Sequence, residues 1–203
     1  MDNMHRLEEI FARFPGIGPR QAKRFVYHVQ SRTSAAVKEM ADLIREIKSS
    51  TVECSDCHRF FIDKNGKNNL CNICNDESRD GSRLMVVARD SDLESIEKSG
   101  AYKGLYFVLG GTVPILDKEP ERRVRLGALM ERMTKGKEGI KEMILSMNLT
   151  PEGENTADVV KEAITAQKKG ATKVTILGRG LSTGAELEYV DSDTIRNALE
   201  NRH

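Results

Sequence analysis

All four cysteines of the chain fall in one 21-residue window, as two C-x-x-C pairs: Cys54 and Cys57, then Cys71 and Cys74. Two such knuckles joined by a short loop let four thiolates converge tetrahedrally on Zn(II). With four sulfurs and no open position, that site is structural, not catalytic. An iron–sulfur cluster uses the same ligands and is the alternative. Disulfides or unrelated core thiols fit the spacing less well, because nothing else in the chain suggests secretion. His58 adjoins Cys57 and would have to fold back to reach the same metal, so it is read as a bystander.

A second constellation precedes the cysteines. Pro15-Gly16-Ile17-Gly18-Pro19 must end one helix and begin another, since both glycines permit positive φ and Pro19 suits a first helical turn. The following helix places Ala22, Phe25, Val26 and Val29 on one face and Arg20, Lys23, Arg24 and Tyr27 on the other. This is a helix–hairpin–helix pattern. Hairpin N–H groups from Gly16 and Gly18, a helix N-terminus and neighbouring cations together suit a phosphate, reading backbone and not bases. An ordinary helical hairpin with a solvated basic face is the plainer reading. Residues 10–38 count against it, with six Lys or Arg and no acidic residue.

The third constellation is acidic. Asp90 and Asp92 follow one apolar run, and Glu152 and Glu154 follow another. Carboxylates at one sheet edge could hold Mg(II). Spacing alone slightly favours helix capping, with Asp92 and Glu154 each opening a helix. No G-x-x-x-x-G-K-[ST], G-x-S-x-G or H-E-x-x-H occurs, and the four histidines are scattered. A P-loop, a hydrolase nucleophile elbow and a zincin site are excluded.

The elements that must carry these residues follow from periodicity. Helices are expected at about 5–14 (Leu7, Ile10, Phe11 and Phe14 on one face), from residue 20, and at about 35–48, with Val37, Met40, Ala41, Ile44 and Ile47 facing inward. Beyond Cys74 the pattern alternates. Strands are expected at 84–88, 105–109, 143–147 and 173–177, and helices at 92–98, 121–133 and 156–169. Strands alternating with helices imply a mainly parallel sheet whose functional edge lies at the strand C-termini.

The 203 residues allow one domain or two small ones, and no apolar run reaches the ~18–20 residues of a membrane helix. The N-terminus carries both charges and lacks a signal-peptide core. Net charge is only +1, but it divides into +6 over residues 10–38 and −5 over the rest. The average conceals a basic hairpin joined to a mildly acidic body.

Six ordered motifs, PGIGPRQAKRF, CSDC with CNIC, MVVARDSDLESIE, YFVLGG, LTPEGENTA and GRGLSTGAELEYVD, resemble the RecR family of bacterial recombination mediators. The resemblance covers nearly the whole chain. It implies an α/β multidomain protein: a helix–hairpin–helix at 1–51, a four-cysteine zinc finger at 52–79, a Rossmann-like Toprim domain at 80–178 and a C-terminal assembly segment at 179–203. It implies a non-enzymatic, cytoplasmic DNA clamp that forms dimers and ring-like homotetramers by exchanging terminal elements. Its implied partners are DNA, single- or double-stranded, and the RecO and RecF proteins, with RecA loading onto strands coated by single-strand-binding protein. Carried over by position, the DNA-contacting pair falls on Arg20 and Arg24, with Lys23 added from the helical wheel. One zinc per chain falls on Cys54, Cys57, Cys71 and Cys74, and the acidic partner edge on Asp92, Glu152 and Glu154.

Two departures stand out. Ala88 occupies the position where Toprim enzymes carry a glutamate for metal and acid–base work. That weakens an Mg(II) site and the rival reading, a metal-dependent phosphoryl-transfer enzyme. None of Tyr27, Tyr102, Tyr106 and Tyr189 has an evident nucleophile setting. The loop HRFFIDKNGKNNL between the knuckles is also longer than the family suggests.

Overall fold

The computed structural model describes residues 2–63, 69–117, 119–134, 139–166 and 172–202. The chain divides into two compact units, Met1–Thr51 and Val52–His203.

The first unit holds helices α1 (Asn3–Ala12), α2 (Pro19–Gln30) and α3 (Ser34–Ser50). Asp2 caps α1 and Thr33 caps α3, each accepting a first-turn N–H. Helices α1 and α2 form the hairpin. Ala22 and Val26 are buried, and Phe11 meets Phe25 edge-to-face with ring centroids 5.7 Å apart. Of the four residues expected on the inner face of α1, Leu7 and Phe11 are half-buried, while Ile10 and Phe14 are exposed. The inward face expected for α3 is also corrected. Met40, Ile44 and Ile47 are 40%, 63% and 60% exposed. Periodicity locates an apolar stripe but does not say what covers it, and within this unit that stripe is uncovered.

The second unit opens with a two-stranded ribbon, β1 (Thr51–Glu53) and β2 (Phe60–Ile62), around the cysteines. It continues as β3 (Asp80–Val87), α4 (Asp90–Ser99), β4 (Gly104–Val108), a 3-10 turn (Pro120–Arg122), α5 (Leu126–Thr134), β5 (Glu142–Ser146), α6 (Pro151–Ala166) and β6 (Lys173–Ile176). A 3-10 turn (Leu187–Tyr189) and α7 (Ser192–Glu200) complete it. The sheet has strand order β4-β3-β5-β6, and its described pairings are all parallel, with Leu84 opposite Leu105 and Met143.

Both faces of this sheet are covered, as parallel sheets require, and alternation assigns the residues. Leu84, Val86, Phe107 and Leu109 join Leu129 of α5 and Val160 of α6 in one core. Met85, Val87, Tyr106 and Val108 join Leu93 of α4, Cys54, Cys57, Cys71 and Ile73 in the other. The four-cysteine element is thus the lid of one sheet face.

Three expected boundaries shift. The helix expected over 121–133 begins only at Leu126, because the Arg125 N–H donates to the strand-end carbonyl of Leu109 (2.9 Å). The helix expected from 156 begins at Pro151. There the Thr150 hydroxyl accepts the Gly153 N–H (3.2 Å) and its carbonyl the Glu154 N–H (2.9 Å), with proline at the first helical position. Residues 167–169 of that expected helix lie outside the described residues, as do 64–68 of the long knuckle loop. Strand β3 starts at Asp80, four residues before the expected apolar run.

Candidate functional site

The cysteine element is built from its turns. The His58 N–H donates to the Cys54 carbonyl (3.0 Å) and the Asn75 N–H to the Cys71 carbonyl (3.0 Å), closing each knuckle. The Cys71 N–H points at Cys54 Sγ (3.4 Å), joining one knuckle to the other. All four sulfurs lie within 4.8 Å of one another. Cys54, Cys57 and Cys71 are fully buried and Cys74 partly so. Four thiolates this close repel unless a cation sits among them. In their protonated forms they divide: Cys54 is held far below the ordinary thiol range by the Cys57 and Cys71 thiols, while Cys57 and Cys74 are pushed up, foremost by Cys54. A soft, closed S4 donor set fits a structural metal ion.

His58 stands apart from that set. Its Nδ1 lies 2.7 Å from Glu53 Oε1, its ring packs on Phe107 at 5.2 Å between centroids, and its backbone is left-handed at φ 59°. Glu53 also takes the Arg125 guanidinium (3.2 Å). The element is fastened to the sheet by the Val108 N–H on the Cys57 carbonyl (2.8 Å), and to α4 by the Phe60 N–H on Asp90 (2.8 Å) and a two-pronged Arg79–Glu97 ion pair. Sequence reasoning assigned no role to Glu53, Arg79, Glu97 and Arg125, which meet their partners only through the fold.

In the hairpin unit, Gly16 takes the left-handed conformation at φ 75°, as a tight turn demands, whereas Gly18 sits at φ −85°. Positive φ is thus needed at one glycine, not two. Gly18 is the N-cap of α2 and has no side-chain hydrogen bond to that helix start, while Pro19 is its first residue. Arg20, Lys23 and Arg24 are all exposed, on the face opposite Ala22 and Val26. Lys23 Nζ sits 5.9 Å over the Tyr27 ring and Arg24 reaches Gln21 (3.5 Å). No acidic partner is recorded for any of the three cations among the described residues.

The acidic edge is dispersed. Asp92 accepts the Arg89 N–H (3.0 Å) in the first turn of α4, a capping contact. Glu152 takes the Thr112 hydroxyl (3.3 Å), and Glu154 pairs with Arg179 (2.9 Å). Glu154 does not open α6 but lies in its first turn. Among the described residues, the only group of three or more potential metal ligands is the cysteine set. The residues directly after the four strands are Ala88, Leu109, Met147 and Leu177, none of them a carboxylate. These residues do not fit an Mg(II) site.

No helix among the described residues is long and apolar enough to cross a membrane. Residues 82–178, the sheet and its helices, match the family described as "Toprim domain", and residues 180–203 the family described as "RecR, C-terminal". A protein named Recombination protein RecR from Ruegeria pomeroyi is 37% identical over 196 residues, 97% of this chain and 93% of its own. Proteins of the same name from Cereibacter sphaeroides and Methylorubrum extorquens are each 36% identical, over 98% of this chain and 96% and 94% of their own. A Toprim sheet lidded by four cysteines, the family's own C-terminal segment and end-to-end similarity coincide in one polypeptide, and the chain belongs to the RecR family, whose role lies in DNA recombination and repair.

Proposed function

We propose that this protein is a non-enzymatic clamp that binds the DNA backbone and, with RecO and RecF, promotes RecA loading onto strands coated by single-strand-binding protein. The observation that carries the reading is the uncapped start of α2 beside Arg20, Lys23 and Arg24. The Gly16–Gly18 hairpin brings backbone N–H groups to a phosphate, and the three cations neutralise its neighbours. This chemistry is indifferent to sequence and releases counterions, so binding weakens with salt. We read residues 1–51 as the DNA-binding part, 52–79 as the zinc finger, 80–178 as the Toprim domain and 179–203 as the assembly segment.

Zinc is the ion we assign to Cys54, Cys57, Cys71 and Cys74. When bound it supplies a crosslink holding a short, apolar-poor segment against the sheet. Two or three phosphate contacts per subunit bind weakly alone, and a ring multiplies them through effective concentration. Uncovered apolar side chains support assembly: Met40, Leu43, Ile44 and Ile47 on α3, and Leu187, Tyr189 and Leu199 near the C-terminus. Asp92, Glu152 and Glu154 form the edge that meets protein partners in the cytoplasm. Ala88, where Toprim enzymes carry a glutamate, supports a binding role over phosphoryl transfer. The test is RecA filament assembly on coated single strands in the presence of RecO. The wild type should accelerate it and the Arg20→Ala, Arg24→Ala double variant should not. Equal acceleration by both would refute the reading.

A further inference from the structure

The turn after β4 places two aliphatic side chains in water, and the rest of the structure holds them there. Leu116 is 92% exposed, the highest value among the large apolar residues described, and Ile115 beside it is 59% exposed. Solvent-exposed aliphatic tips usually belong to loose loops, but this one is braced on both sides. The buried Val113 N–H donates to Thr156 Oγ1 (2.8 Å), and the Asn155 amide donates to the carbonyls of Val113 (3.0 Å) and Pro114 (3.3 Å). The Asp117 N–H closes the turn on the Pro114 carbonyl (3.0 Å), and Asp117 in turn takes Arg123 (2.6 Å). A rigid tip loses little conformational freedom on binding, which is the condition under which a single apolar contact counts fully.

The braces come from the first turns of α6, the acidic edge. From Thr150 to Asp158 that segment holds Glu152, Glu154 and Asp158 and no Lys or Arg, whereas in the sequence the tip itself runs Asp117-Lys118, one charge of each sign. Glu154 has Arg179 as partner, but Glu152, next to the tip through Thr112, has no cationic partner among the described residues. We propose that Ile115 and Leu116 form an anchor for a protein partner that presents an apolar socket rimmed by Lys or Arg. The cations of that rim meet Glu152, and the socket takes Leu116. The inference rests on the reading of this edge as the partner-facing side and gives it a hydrophobic centre with an acidic flank, an apolar core inside a polar rim.

The probe is purified RecO from the same organism, titrated calorimetrically onto the full-length protein, its Leu116→Ser and Leu116→Met variants, and Glu152→Lys. Burial of one leucine in a socket corresponds to about a 10- to 100-fold affinity change. Leu116→Ser should lose that factor, Leu116→Met should restore most of it, and Glu152→Lys should weaken binding with a reduced salt dependence. Molar mass by light scattering, melting temperature and DNA affinity of Leu116→Ser should stay at wild-type values, since so exposed a side chain contributes nothing to the fold. If Glu152→Lys weakens binding while Leu116→Ser does not, the anchor is refuted and the acidic edge stands. A wild type that binds no RecO overturns the partner reading and the anchor together. A fall in molar mass or DNA affinity with Leu116→Ser would reassign the tip to self-assembly or to DNA, and either result refutes the proposal.

Discussion

Replacing Thr156 with valine tests whether α6 braces the turn that follows β4. Thr156 is fully buried, and its hydroxyl accepts the Val113 N–H (2.8 Å) while donating to the Glu152 carbonyl (2.6 Å). Valine keeps the shape and removes both bonds. The Glu152 carbonyl loses little, because it can still accept the ordinary helical N–H. The Val113 N–H loses its acceptor inside the protein, where its residue is 1% exposed. Leaving one buried donor unsatisfied costs roughly 1–3 kcal/mol, and the gain from a methyl in place of a hydroxyl offsets only part of it. Helix propensity is nearly equal for the two residues and does not enter. A net loss of about 1–2 kcal/mol corresponds to a fall of roughly 2–8 °C in melting temperature for a unit of this size. Amide hydrogen exchange supplies the site-specific readout. Val113 should exchange faster in Thr156→Val and at the wild-type rate in Thr156→Ser, which retains the hydroxyl. Wild-type protection of Val113 in the valine variant would refute the reasoning, whatever the melting temperature.

Gly153 packs against the Asn148 backbone so closely that a Cβ there would collide with it. Gly153→Ala should therefore destabilise by about 1–3 kcal/mol in urea unfolding. Asp80 is held down to about 2 from its ordinary 3.8 by the Ser82 hydroxyl and N–H and then by Arg83. Because its folded pKa is the lower one, the stability it contributes is present above about pH 4 and is lost as pH falls towards 2. Asp80→Asn should flatten that part of the stability profile, losing stability at neutral pH and converging with the wild type as pH falls towards 2. Chelating the metal should expose the face of Met85, Val87 and Val108 that the cysteine element covers. That change would be read as dye binding and lost near-ultraviolet signal, with the α5–α6 core still folded.

The cysteine spacing made the four-sulfur cluster legible, because its geometry is local to two turns. The basic face of α2 was legible too, since helix periodicity alone separates Arg20, Lys23 and Arg24 from Ala22 and Val26. The parallel sheet followed from alternating strand and helix patterns. What escaped were consequences of tertiary contact. The apolar stripe of α3 implied a covering element that its own unit does not contain. Helix α6 starts at Pro151, ahead of the apolar periodicity expected over 156–169, although Thr150-Pro151, a capping residue followed by a first-turn proline, is a signal sufficient to find it. The late start of α5 depends on one bond from Arg125 to Leu109, across a loop, and no local pattern encodes it. The ties between the cysteine element and the α/β layer, Arg79 with Glu97 and Glu53 with Arg125, join residues whose types are ordinary and that lie well apart in sequence.

The central claim is that the hairpin cations hold the DNA backbone, and fluorescence anisotropy against salt tests it most directly. Log affinity for a labelled oligonucleotide should fall linearly with log salt in the wild type. In the Arg20→Ala, Arg24→Ala variant the slope should drop by about 0.7 per lost contact on single strands or 0.9 on duplex, with melting temperature and molar mass unchanged. A double variant with the wild-type affinity and the wild-type salt slope would contradict the account.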